Sequence, residues 1–472
     1  MGKSFKMTEE ECQEYVTGLV ERARKAQEAA EVLTQRQVDE LAAAMVYKLS
    51  RPEIAREIAE LALTESEMGR VDSKMSKMTS KMPAILYDIL REKTVGVVNE
   101  KPENGIIKIA KPVGVIAALI PSTNPEGTVA FKGVLGLRGR NAVIFSPHPA
   151  TYKTSNLVCE YMREILKKNG LPEDILICID KPSIAVSQEL MRQSDLIVAT
   201  GSHDMVEKAY SSGKPAYGVG AGNAVVVIDE TADMADAAEK ISVSKVNDWA
   251  SGCSAENSIV IQESIYNNMI AELEKHGGYL CSGQEKERLE KTMWPEGHRL
   301  NREIVAKPAS VIAELAGISL PEGKQFLMVE EDKTGEDANF SHEKLSVVLT
   351  VYRYLEFEEA IDIVNRIQEY SGHGHSCGIH SYNEEHIREL AEKTYTVKVL
   401  VRQPHSLSNS GAWHNGLAKT FTLGCGTWGG NIVSENITQK HFINTTWLTY
   451  PIDGNPPSEE EIYGDLLTEV NY

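Results

Sequence analysis

Apolar residues return every three or four positions from Thr8 to about Glu92, as in "VDELAAAMVYKLS" and "IAREIAELALTESEMG", with Glu, Lys and Arg between them. That spacing puts the apolar side chains on one face, so it predicts amphipathic helices. After Lys93 the texture changes. In "TVGVVNEKPENGIIKIAKPVGVIAALIPS" β-branched runs flank a "KPENG" turn, which predicts a hairpin leading into a buried strand. The runs "NAVIFSP", "ILICID", "LIVATGS", "NAVVVID" and "NSIVIQ" are short, continuously apolar and separated by helical segments. Strands covered on both faces of a parallel sheet have this character, so the expected fold class is α/β. The alternation resumes after Asn301 with "KLSVVLTVYRY", "AIDIVNRI", "HSCGIHSYN" and "TVKVLVRQ". A second α/β unit therefore follows the first, with the boundary near "GVGAGN". The tail carries one strand-like run before a Pro-rich acidic end; such a strand completes a sheet elsewhere, a neighbouring subunit included, and predicts an oligomer.

With 472 residues the chain has room for two or three domains and needs no staples. It carries 49 Lys plus Arg against 68 Asp plus Glu, a net charge of -19, which repels phosphate backbones and anionic lipid. No nucleic-acid or membrane partner is expected. The opening turns acidic where a signal peptide has an apolar core, and no run approaches the roughly 18 apolar residues of a membrane span. The expected location is the cytoplasm. Seven scattered cysteines, none in C-x-x-C spacing, argue for a reducing compartment and against structural zinc.

Several segments carry candidate chemistry. Gly218 to Asn223, "GVGAGN", has the glycine density of a dinucleotide fingerprint but precedes a strand instead of following one. "LIVATGSHDMVEKAY" has the better order, a strand ending at Thr200-Gly201-Ser202 with a helix behind it, whose free amides could receive a pyrophosphate or simply be capped by Ser202. Asn124, between two prolines just past a buried strand, could donate to an oxyanion or be turn punctuation. Cys253 in "SGCSAENS" is either a small core residue or a nucleophile activated by the fold, since no His or Asp adjoins it. His373 and His375 in "GHGHSC" lack a third metal ligand, and no metal is expected. The "LGCGTWGGN" loop implies close backbone approach, to a ligand or to the protein itself.

The order and spacing of "PSTNP", "FSPHP", "ATGS", "GVGAGN", "GCSAENS", "HEKLS", "GHGHS" and "GCGTWGGN…SEN…KHFIN" resemble the CoA-acylating aldehyde dehydrogenases, from about Lys111 to Asn444. The resemblance implies an aldehyde dehydrogenase fold. A Rossmann-like cofactor domain would take residues 1–95 and 114–225, a catalytic domain 226–435, and a β-flap for oligomerisation 96–113 with the tail 436–472. It implies Cys253 as nucleophile, with Asn124 and the Cys253 amide as the oxyanion hole and His375 serving the acylation half-reaction. Glu343 would hold the nicotinamide ribose. Thr200, Gly201, Ser202 and Gly220 would line the cofactor groove, and His148 and Thr151 would stand at the adenosine ribose. The implied co-substrates are CoA and NAD or NADP, NAD being favoured, and the implied assembly is a homodimer or homotetramer.

Hydrolytic relatives carry a glutamate general base where this chain has "GVGAGN", so water would be poorly activated and CoA preferred. The rival expectations are a hydrolytic aldehyde dehydrogenase and a non-catalytic binding protein. For the substrate, "VRQPHSLSNSGAWHNGLAKTF" gathers Arg402, His405, His414 and Lys419 in an acidic protein, which suits a small anionic aldehyde. Arg402 and His405 are the expected substrate ligands, the alternative being that these basic residues grip CoA phosphates or face solvent. The tail is more similar to sulfoacetaldehyde-oxidising members, so sulfoacetaldehyde is the expected substrate, followed by succinate semialdehyde and acetaldehyde.

Overall fold

A computed structural model describes residues 5, 7–201 and 203–467. Strands β1 (Gly96–Lys101) and β2 (Ile106–Lys111) form the antiparallel hairpin expected around "KPENG", closed by Gly105 in left-handed backbone at φ +60°. The next five strands are β3 (Val115–Ile120), β4 (Ala142–Pro147), β5 (Leu176–Cys178), β6 (Leu196–Thr200) and β7 (Ala216–Val219). They make an all-parallel sheet in the order β5-β4-β3-β6-β7. Seven more follow: β8 (Ala224–Ile228), β9 (Glu256–Gln262), β10 (Gly278–Leu280), β11 (Phe326–Glu330), β12 (Val348–Tyr354), β13 (Cys377–His380) and β14 (Val399–Val401). Their sheet is also parallel, ordered β10-β11-β12-β9-β8-β13-β14. Strand β15 (Asn444–Thr449) pairs antiparallel with β2, so the tail strand completes the flap of its own chain.

The strand burial follows from the period of two. In β3, Ile116, Ala118 and Ile120 pack into the core on one face while Val115, Ala117 and Leu119 pack into the core on the other. In β8, Val226 and Ile228 face one core and Val225 and Val227 the opposite one. Each fully buried Val, Leu or Ile side chain contributes ~1.5–3 kcal/mol, and both sheets are covered by such residues on both sides.

The expected N-terminal helices are Glu9–Glu31, Gln35–Leu49 and Pro52–Ser66, the first two opened by capping boxes at Thr8 and Thr34. They are followed by a run from Val71 to Ile89 whose middle, Lys77–Lys81, widens into a π-helix. Strands β7, β10 and β11 lie in segments whose periodicity is too short to read. "AIDIVNRI" belongs to the helix Phe357–Tyr370, its apolar residues spaced to bury one helical face. The chain crosses between the two parallel sheets from Val219 to Ala224, within "GVGAGN". Among the described residues no helix is long and apolar enough to cross a membrane.

Candidate active site

A cavity of about 1110 Å³ opens where the carboxyl ends of β3, β4 and β6 meet the loop before β9. Loops in such positions are where parallel sheets expose groups to ligands. Cys253 and Asn124 both line this cavity, although 129 positions separate them in the chain. Thr200, Gly201, Gly220, Glu343 and His148 line it too.

The nucleophile loop is built on unusual backbone. Asp248, Trp249 and Ala250 occupy left-handed conformations in succession, at φ 48°, 50° and 57°. Each costs about 1–2 kcal/mol for a residue with a Cβ, so surrounding contacts must hold the turn. The Asp248 carboxylate does so: it accepts from the Arg70 amide at 2.7 Å, the Ser251 hydroxyl at 2.8 Å and the Lys77 ammonium at 2.6 Å. Behind the loop, Gly222 is obligatory for a local reason: a Cβ there would stand 2.0 Å from the Cys253 carbonyl oxygen. The first glycine of its neighbour pair, Gly220, meets nothing within 4 Å, leaving its backbone open to the cavity.

Five of the seven cysteines are buried, and of the two that are not, Cys253 alone lines the cavity. His375 is buried behind it, with Nε2 3.3 Å from the Cys253 sulfur and Nδ1 2.8 Å from the Ser376 hydroxyl. Burial, with the nearby Glu343 and Cys425, pushes the Cys253 thiol up to about 12. Burial and the charge of Lys398 push the His375 imidazole down to about 3. The resting pair is therefore a neutral thiol beside a neutral imidazole, and the sulfur must give up its proton to attack.

Asn124 closes the loop after β3 and precedes the helix Pro125–Arg138. Its Oδ1 accepts from Lys77 Nζ, while its Nδ2 makes only a long 3.5 Å contact with Thr123 Oγ1. The amide is thus gripped by its oxygen and left with its N–H groups free. Among the described residues the Cys253 N–H has no protein acceptor. Two unsatisfied donors at one cavity wall are what an oxyanion site requires.

Lys77 was not foreseen from the sequence. It belongs to a buried quartet with Lys74, Glu126 and Asp248: Lys77 lies 3.2 Å from Glu126 and 2.6 Å from Asp248, and Lys74 lies 3.8 Å from each carboxylate. Two positive and two negative charges balance. Burial opposes the Lys77 charge, but Asp248 and Glu126 overrule it and hold the ammonium up at about 12. The π-helical Lys77–Lys81 turn thereby clamps both the asparagine loop and the cysteine loop. A signal existed in the sequence: Ser73 to Tyr87, "SKMSKMTSKMPAILY", has three lysines and no acid in a protein where acids outnumber bases.

Glu343 reaches the "GVGAGN" segment from the loop before β12. Its Oε1 accepts from the Gly222 amide at 2.9 Å, and burial raises its carboxyl to about 8. The segment itself lacks a carboxylate, as the sequence implies, yet the fold brings one to it.

Other expected ligands fall elsewhere. Thr151 is buried at the start of the helix Tyr152–Lys168 and does not line the cavity. Arg402 and His405 do not line it either. A left-handed φ of 52° turns Arg402 away, where its guanidinium donates to the Ser381 carbonyl and lies 4.5 Å over the Tyr382 ring. His405 is wholly buried, with Nδ1 donating to the Ser254 carbonyl at 2.8 Å. They are corrected from substrate ligands to scaffold: His405 supports the nucleophile loop through Ser254, and Arg402 packs on the loop after β13. His414 and Lys419 from the same basic stretch do reach the cavity, but Lys419 is paired with Asp88 at 3.0 Å. Ser202 lies outside the described residues.

Residues 3–441 match the aldehyde dehydrogenase family. The chain belongs to that family. It is 43% identical over 455 residues to the acylating sulfoacetaldehyde dehydrogenase of Bilophila wadsworthia, covering 96% of this chain and 98% of that one. An acetylating aldehyde dehydrogenase from Geobacillus thermoglucosidasius superposes with a TM-score of 0.91 at 35% identity, over 95% of this chain and 99% of the other. A Rhodopseudomonas palustris propionaldehyde dehydrogenase, solved with bound CoA and an acylated cysteine, superposes at 0.82 and 25% identity, over 92% and 97%. This aldehyde dehydrogenase is an acylating, NAD(P)-dependent enzyme.

Proposed function

We propose that the enzyme oxidises sulfoacetaldehyde and passes the acyl group to CoA, giving sulfoacetyl-CoA. The observation that carries this reading is a cavity-lining Cys253 with His375 on its sulfur and two free N–H donors at the same wall. The sulfonated substrate is supported by the full-length similarity to the Bilophila protein and by Lys81 in the cavity lining.

The Cys253 sulfur adds to the aldehyde carbon as its proton passes to His375 Nε2, 3.3 Å away, and the carbonyl oxygen becomes an oxyanion held by Asn124 Nδ2 and the Cys253 amide. NAD(P), when bound, supplies the acceptor for the hydride that leaves that carbon. The result is a thioester on Cys253. The thiol of CoA then adds to the thioester carbon, its proton passes to the departing Cys253 sulfur as the acyl-CoA forms, and the proton taken up in the first step is the one released. In sum, aldehyde, NAD(P)⁺ and CoA become acyl-CoA, NAD(P)H and one proton. Residues that fit the cofactor are Gly220, with its open backbone, Thr200 and Gly201 at the end of β6, and Glu343 for the ribose. Glu65 accepts from the Lys153 and Thr154 amides at the start of the helix Tyr152–Lys168, 3.1 and 2.6 Å away. The exposed β15 strand, with Trp447 and Leu448, supports a homodimer or homotetramer built through the flap.

Product analysis with NAD and sulfoacetaldehyde tests this. Sulfoacetyl-CoA should form only with CoA present. Free sulfoacetate formed at full rate without CoA would overturn it, as would succinate semialdehyde or acetaldehyde as the better substrate.

A further inference from the structure

Lys81 lines the same cavity as Cys253 but has no carboxylate. Its Nζ donates to the Ser410 hydroxyl at 2.5 Å and lies 4.5 Å over the Phe421 ring. Among the described residues no Asp or Glu forms an ion pair with it. Two other lysines that line the cavity are compensated, Lys77 by Glu126 and Asp248 and Lys419 by Asp88. Lys208 and Arg302, which also line the cavity, stand exposed where water screens them. Among the described cavity-lining residues, Lys81 is therefore the half-buried lysine that no carboxylate pairs.

Its surroundings suit an anion. Ser76, Ser80 and Ser410 line the cavity around it, as do His414 and Trp413. Hydroxyls can donate to an anionic oxygen alongside an ammonium, whereas a neutral aldehyde offers that end of the cavity nothing. Lys81 also lies four residues beyond the Lys77 that grips the oxyanion asparagine, within the same π-helical turn. That separation suits an aldehyde carrying its charge close to the carbonyl.

We propose that Lys81, with the hydroxyl of Ser410, binds the anionic end of the substrate aldehyde and sets the preference for a sulfonated over a neutral aldehyde. This rests on the reading of the enzyme as a sulfoacetaldehyde dehydrogenase and moves the recognition from Arg402 and His405 to the helix before β1. The electrostatics agree. Burial, then repulsion from Lys77, pushes the Lys81 ammonium down to about 7, with Cys253 the counter-influence. A bound sulfonate supplies the missing negative charge.

The test compares kcat/KM for sulfoacetaldehyde and for acetaldehyde in wild type, Lys81→Met and Lys81→Arg at fixed NAD and CoA. Lys81→Met should lower the sulfoacetaldehyde-to-acetaldehyde ratio by roughly 10- to 100-fold, the worth of a hydrogen bond to a charged group, and Lys81→Arg should retain part of it. A ratio unchanged in Lys81→Met, while the wild type still prefers sulfoacetaldehyde, overturns the assignment and leaves the enzyme's function standing. A second readout needs no turnover: methanesulfonate should slow alkylation of Cys253 by iodoacetamide in wild type and not in Lys81→Met. If the wild type ignores sulfoacetaldehyde, the proposed function falls, and this protection decides the anion site alone. Protection lost in Lys81→Met supports it, and equal protection in both, or none in either, overturns it.

Discussion

The loop Leu423–Asn436 and the helical run Ser73–Met82 make opposite impressions in the sequence and exchange places in the structure. The loop, with Gly424, Gly426, Gly429 and Gly430, looks like a binding loop. Two of its glycines instead make room for the protein's own backbone: a Cβ on Gly424 would meet the Glu435 carbonyl at 2.4 Å, and one on Gly429 would meet the His373 carbonyl at 2.7 Å. Of these glycines none lines the cavity. The Ser73–Met82 run looks like an ordinary amphipathic helix with a solvated lysine face. In the fold its methionines Met78 and Met82 enter the core, and its lysines point at the cysteine and asparagine loops. Clustered glycine says that something approaches closely without saying what. A charge imbalance inside a helix points to partners elsewhere in the chain.

The comparison breaks or sharpens at defined substitutions. On the helix side the effects should fall on chemistry. Asn124→Ala, which removes the donor that Lys77 positions, should lower kcat by about 100- to 1,000-fold with the melting temperature nearly kept. A rate near wild type would take Asn124 out of the oxyanion site.

On the glycine side the effects should fall on stability. Gly374 sits at φ +78°, where a Cβ would stand 2.0 Å from the Cys425 carbonyl oxygen of the loop. Gly374→Ala should therefore cost about 3 kcal/mol in urea unfolding, from overpacking and left-handed strain together. Unchanged stability would mean that the loop yields and is not a packed element. Lys77→Met should reduce kcat by roughly tenfold to 100-fold and also destabilise, because it leaves buried carboxylates undercompensated. If kcat held while stability fell, Lys77 would be a structural clamp and not a positioning residue.

The pH dependence of Cys253 is smaller but cleaner. Because its thiol is raised to about 12, the thiolate fraction in the unliganded enzyme grows about tenfold per pH unit across pH 7 to 10. Alkylation by iodoacetamide should climb with that slope and reach no plateau below pH 10. A plateau near pH 7 would reveal a thiolate stabilised by His375. Smallest of all, Gly430→Ala, at φ +64° with open space around it, should cost only about 1 kcal/mol.

These contrasts mark what could be read in advance. The two parallel sheets were visible because strands buried on both faces are continuously apolar, as "NAVIFSP" and "NAVVVID" are. Cys253, Asn124 and Glu343 were reachable through motif order, since each lies on a short loop with distinctive neighbours. The Lys74–Lys77–Glu126–Asp248 quartet was not, because its members are spread over 175 positions and each alone passes for a surface charge. Arg402 and His405 misled for the reverse reason. Basic residues close in sequence suggested one binding surface, but the backbone turn at Arg402 and the burial of His405 send them to separate places.

The most direct test of the account is to follow the Cys253 peptide by mass spectrometry. The enzyme would be mixed with sulfoacetaldehyde and NAD, first without CoA and then with it. The account predicts a sulfoacetyl adduct on Cys253 that builds up without CoA and disappears as sulfoacetyl-CoA forms. An adduct on another cysteine, or free sulfoacetate released at full rate before CoA is added, would contradict it.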